Sequence, residues 1–172
     1  IAFFTPKALS LGGFSVEESG LLLFAGAAGL GVGATIFGRI SDKIGREKTM
    51  WIGIVGMLIL LPTLALSLSP ETNPDYPDFG AYLYVIAPSA LMVSALVPSI
   101  LALVGDTARS TLRGSAMGLY SIMLSLGIAV GNVVGGASGH IGGLPAILYV
   151  AEGLFLAAVI LTLLLSRLGG NE

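Results

Sequence analysis

Long apolar runs and short polar separators alternate along this chain. Five runs, at about 16–40, 49–69, 80–104, 115–137 and 144–167, hold almost no charge. Each is near the roughly 20 apolar residues a helix needs to cross a bilayer. The separators are brief. KALSLGGFSVEES precedes the first run and GRISDKIGREK follows it. SPETNPDYPDFG, with three prolines and three acids, GDTARSTLRG and the Gly/Pro turn GHIGGLP divide the rest. The pattern predicts an all-α bundle of five full transmembrane helices within one unit, 1–172. The opening IAFF reads as the end of a sixth helix whose body is missing, which points to a truncated product.

Composition strengthens this reading. Of 172 residues, 55% are hydrophobic and 10% charged, against about 25% charged in soluble domains. Mean hydropathy is +0.94. The chain has no Cys and a net charge of −2, so no thiolate metal site is expected, nor a nucleic-acid partner. His140, alone in a loop, receives no role. No metal or cofactor is expected. A membrane enzyme would need a nucleophile–base set or metal ligands at one depth, and one His with one intramembrane acid supplies neither.

Charge sets the expected orientation. Arg39, Lys43, Arg46, Lys48, Arg109, Arg113 and Arg167 fall on one side of the alternating runs, and only Lys7 on the other. Lys and Arg collect on the cytoplasmic side. The knot Gly38–Lys48, the GDTARSTLRG loop and the C-terminus are therefore expected in the cytoplasm, in a multi-pass protein of the plasma membrane.

The knot holds more than anchors. Gly38 and Gly45 permit a tight reversal, while Lys43, Arg46 and Lys48 hold the loop at the surface. Asp42 is not needed for anchoring. It is expected at a neighbouring helix N-terminus, where the macrodipole favours a carboxylate by roughly 0.3–1 kcal/mol, or paired with an arginine of another loop. Either contact would belong to one packing of the helices, which makes it a latch.

This stretch resembles the signature loop of the major facilitator superfamily, G-x-x-x-D-[RK]-x-G-[RK]-[RK], at Gly38, Asp42, Lys43, Gly45 and Arg46. It departs at Glu47, where the family usually has a base. Asp106, with Arg113 and Gly114 after six intervening residues, is similar to the family's acid-x6-Arg-Gly loop; Arg109 and Arg113 also fit plain surface anchoring. Gly118, Gly127, Gly131, Gly135 and Gly136 resemble the G-x8-G-x3-G-P-x2-G-G helix of its drug/proton antiporters, with Asn132 in place of the proline. The resemblance implies one six-helix half of a transporter, its first helix mostly absent. The short tail SRLGGNE favours the carboxy-terminal half, and the glycine pattern the amino-terminal half of an antiporter. It implies a secondary transporter that moves a small molecule by alternating access, proton- or sodium-coupled, with the bilayer and the other half as partners. A non-transporting scaffold or receptor of the same fold is the alternative.

Three features bear on a substrate site. At 100° per residue, Gly114, Gly118, Ser121, Ser125, Asn132 and Gly136 share a sector of about 60°. They form a polar stripe facing a cavity, or a packing face whose serines bond their own backbone. Gly127, Gly131 and Gly135 lie on another side, as a close helix contact. Glu152 is the acid deepest in a run, about eight residues or ~12 Å from the helix start, with Tyr149 one turn before it. An acid at that depth reads as a substrate or proton site; if the helix begins later, Glu152 lies near the interface instead. Pro62, Pro88 and Pro98 interrupt the runs, where kinks are tolerated.

Overall fold

The structure is a computed structural model, and it describes residues 15–69 and 82–169. The IAFF start, Lys7, the acids Glu71, Asp75 and Asp78 and the last three residues lie outside them. Helix α1 runs Val16–Ile44 and α2 Arg46–Ser67. Helices α3 (Leu83–Val93) and α4 (Leu96–Thr107) form one near-continuous rod of 25 residues. A short 3₁₀ turn, Ser110–Leu112, leads into α5, Arg113–Gly169. No strand occurs among the described residues.

Local sequence explains where these helices start, stop and bend. Ser15 caps α1: its hydroxyl accepts from the Glu18 amide at 3.2 Å, and the Glu18 carboxylate accepts from the Ser15 amide at 2.8 Å. This reciprocal box satisfies two amides that a helix start leaves unpaired. A single residue, Gly45, separates α1 from α2, at φ 103° and ψ 148°. Only glycine takes that conformation without strain. Its amide donates to the Ser41 carbonyl at 3.1 Å, and its carbonyl accepts from the Thr49 amide and hydroxyl. Pro98 lacks the N–H that would bond the Ser94 carbonyl, and the α3–α4 rod is interrupted at Ser94–Ala95.

Helix count is where expectation and structure differ. Among the described residues four helices are long and apolar enough to cross a membrane, not five. The last joins two expected runs. Its 57 residues would reach ~86 Å as one straight helix, against a hydrocarbon core of ~30 Å. It does not run straight. Gly142 (φ −134°, ψ 20°) and Gly143 (φ 67°, ψ −158°) leave helical geometry and kink it. The arms on either side, 113–141 and 144–169, are each near membrane length.

Helix α2 is central and packs on all the other helices. The contacts use small residues. The buried polar side chains among the described residues are Ser19, Ser41, Thr49, Ser67, Ser89, Ser94 and Ser99, as numerous as the buried hydrophobic ones. Several return their hydroxyl to their own helix, as Ser89 does to the Val85 carbonyl at 2.6 Å. Large apolar side chains such as Leu161, Leu164 and Leu165 are exposed instead. Lipid tails are as apolar as leucine, so helices in a bilayer associate through close packing of small residues. One apolar cluster closes the bundle opposite Gly45: Ala65 and Leu68 of α2's end against Leu144, Ile147 and Leu148 of α5.

Candidate functional site

The turns at the basic end converge on Arg46. Its Nε donates to Asp106 Oδ2 at 3.1 Å, and its Nη1 to Asp42 and, at 3.5 Å, to the Ser41 hydroxyl. Asp42 lies in the last turn of α1, Arg46 opens α2, and Asp106 lies in the last turn of α4. One planar guanidinium therefore ties three helix ends together, a geometry suited to arginine's fixed fork of donors. Two carboxylates share one cation, so the cluster carries a net negative charge. Asp42 and Asp106 are 63% and 59% exposed. Exposed pairs add little to stability, so this bridge is easily broken and remade.

Of the two arrangements expected for Asp42, the pairing with an arginine of another loop is not the one formed. Asp42 takes its arginine from its own loop, four residues on, and the second loop contributes an acid. Arg109 and Arg113 are exposed and make no ion pair among the described residues. The reason is spacing. Asp42 and Arg46 are four apart and stay neighbours across the one-residue turn at Gly45, while α4 delivers Asp106 before the chain turns away. Lys43 is exposed, Gly38 has open space about it, and Gly114 likewise.

The intramembrane candidates do not gather into one pocket among the described residues. Ser121 and Ser125 donate to the Met117 and Ser121 carbonyls, both at 2.9 Å, and both are exposed, as is Asn132. Gly131 and Gly135 are buried, but Gly127 has nothing within 4 Å of an added Cβ. The contact expected of all three is thus made at two. Tyr149 is half exposed. Glu152 is partly buried, and its Oε2 is buried without a hydrogen-bond partner. It continues the face of Leu144 and Leu148, which packs on α2. No group of three His, Cys, Asp or Glu able to hold a metal occurs among the described residues.

Sequence reasoning singled out Asp42, Arg46 and Asp106 separately and missed their shared bond. A signal for it existed in part: an acid four residues before an arginine, in a loop beside a second loop opening on an acid.

The chain is similar to known transport proteins. The chain is 29% identical over 126 residues to YwfA of Bacillus subtilis, an uncharacterized MFS-type transporter, covering 71% of this chain and 27% of that protein. It is 33% identical over 110 residues to a proton myo-inositol cotransporter, hmit-1.1, of Caenorhabditis elegans, covering 64% and 17%. It is 28% identical over 106 residues to a gentisate transporter of Corynebacterium glutamicum, covering 62% and 21%. The matched stretch is thus at most about a quarter of these relatives' own length. No solved structure matches the chain. The family profile described as Major Facilitator Superfamily matches residues 2–169. With apolar helices of membrane length beside that match, the chain is an integral membrane protein and belongs to the major facilitator superfamily.

Proposed function

We propose that this chain is part of a secondary transporter that moves a small organic solute across a membrane by alternating access. The observation that carries the reading is the Arg46 bridge to Asp42 and Asp106, within a chain of this family. Alternating access needs contacts that hold one packing of the helices and release in another. A guanidinium shared by three helix ends is such a contact. Rocking of α4 against the α1–α2 turn separates Arg46 from Asp106 while the Asp42 bond, internal to the turn, persists. The basic end then faces the cytoplasm of the cell, by the charge bias of its loops. A second half, outside this chain, supplies the rest of the cavity wall.

The cargoes named for two of the relatives, myo-inositol and gentisate, are both small organic solutes. The name of the first couples it to protons, and Glu152 is the residue here suited to carry one. A carboxyl this deep, with an oxygen buried and unpartnered, is costly to retain without a use.

The test is solute flux into proteoliposomes holding the full-length protein. Asp42→Asn, Arg46→Gln and Asp106→Asn are each expected to insert normally and lose most of the flux. Wild-type flux in Arg46→Gln and Asp106→Asn would rule the bridge out as a working part. Absence of flux for any solute tested in the wild type, with binding intact, would favour a receptor.

A further inference from the structure

Where α4 ends and α5 begins, the two helices diverge and leave an open groove of about 360 Å³. It is open along its side rather than an enclosed cavity. Val104, Thr107 and Ala108 line one wall, and Ala116, Leu119, Tyr120 and Met123 the other. The lining is almost wholly apolar. At its mouth lies the connector 108–113, which holds Arg109 and Arg113. Both are exposed and stand apart from the Arg46 bridge.

Register ties the charges to the groove. Arg113, Ala116, Tyr120 and Met123 follow one another at helical spacing on one face of α5. Helical side chains lean toward the start of their helix, so from the first position of α5 the Arg113 side chain leans back toward the 108–113 connector. Arg109 follows Ala108, itself part of the wall. The groove thus has a mainly apolar lining with two arginines in the connector beside it, at the end of the bundle where Arg39, Lys43 and Lys48 also lie.

We propose that this groove holds an anionic phospholipid, with its phosphate between Arg109 and Arg113 and an acyl chain along the apolar walls. The charge complementarity selects the occupant. A small soluble anion would satisfy the guanidiniums but leave the apolar walls unfilled. A neutral lipid would fill the walls but leave two cations without a partner. An anionic lipid does both, and basic pockets between helices on the cytoplasmic side recognise such head groups. Arginine's planar fork also matches phosphate better than a lysine would.

The test is native mass spectrometry of the full-length protein in detergent, titrated with phosphatidylglycerol or phosphatidylcholine. Phosphatidylglycerol is expected to bind about tenfold more tightly. Arg109→Gln/Arg113→Gln should abolish that preference, and Ala116→Trp, which fills the groove and keeps both charges, should weaken binding of the lipid. Arg39→Gln/Lys48→Gln removes two charges from the same end and should leave the preference intact. Loss of preference in that control to the same degree would mean diffuse surface charge and overturn the site. So would retention in Arg109→Gln/Arg113→Gln, or competition by free glycerophosphate at the concentration of the lipid. The arginine pair is exposed and its variant is expected to fold, so the proposal stays refutable if Ala116→Trp does not insert.

Discussion

Gly56→Ala tests the packing logic of the bundle most directly. An ideal Cβ at Gly56 would stand 2.5 Å from Met92 Cβ, 2.9 Å from the Ser89 carbonyl oxygen and 2.9 Å from the Val93 amide nitrogen. Carbon atoms in optimal contact are ~3.5–4.0 Å apart. Two of the three obstacles are backbone, so no rotamer change relieves them and α3 must move off α2. Overpacking of this kind costs typically ~1–3 kcal/mol. Alanine's better helix propensity offsets about 1 kcal/mol. The net expectation is a loss of about 0–2 kcal/mol from these two terms, and a gap of about 1–3 kcal/mol from an unhindered Gly→Ala change. Gly153→Ala makes the same chemical change where nothing lies within 4 Å, and is expected to be neutral or slightly stabilising. Gly53→Ala meets Leu96 Cγ at 2.7 Å and its amide nitrogen at 2.9 Å. Gly53 and Gly56 share one face of α2, so one outward shift relieves part of both clashes, and the double variant should cost less than the sum of the singles. The assay is retention of the monodisperse peak after heating in detergent, with circular dichroism as a second probe. Equal stability of Gly56→Ala and Gly153→Ala would refute the close approach of α2 and α3.

Three further outcomes are expected. Gly45→Ala forces a Cβ into φ 103° and should cost about 1–3 kcal/mol, read as a lower melting temperature; an unchanged value would mean that the α1–α2 turn can rearrange. Arg46→Lys keeps the charge but not the fork, so it should recover less than half of the flux lost in Arg46→Gln; full recovery would reduce the bridge to a simple charge. Glu152→Gln should flatten the pH dependence of transport with little change in protein yield, and a profile that overlays the wild type would exclude Glu152 as the proton site.

Much of the architecture was legible along the chain because the bilayer imposes it. A helix must satisfy its own backbone bonds in lipid, so long apolar runs can only be helices. Their polar separators, including Gly45 and the Gly142–Gly143 pair, mark where direction changes. The Ser15–Glu18 box went unread, although a serine three residues before a glutamate is its local signature. The candidate site was legible only as parts. Asp42 and Arg46 stood in one motif and Asp106 in another, but nothing in either said that one guanidinium would serve both acids. The polar stripe through Ser121 and Ser125 was visible by register, yet its hydroxyls satisfy their own helix, one of the two arrangements the spacing allowed.

By itself the sequence determined what short-range physics governs: helix type, approximate ends, the membrane setting and the end that carries the positive charge. Tertiary structure decided which faces meet. It placed α2 at the centre, set Gly53 against Leu96 and Gly56 against Ser89, Met92 and Val93, joined Asp106 to Arg46 across 60 residues, and opened a groove between α4 and α5. In a bundle whose outer and inner faces are both apolar, hydrophobicity does not say which side of a helix turns inward. That choice rests on the close fit of small residues and on a few hydrogen bonds, and these exist only once the helices have come together.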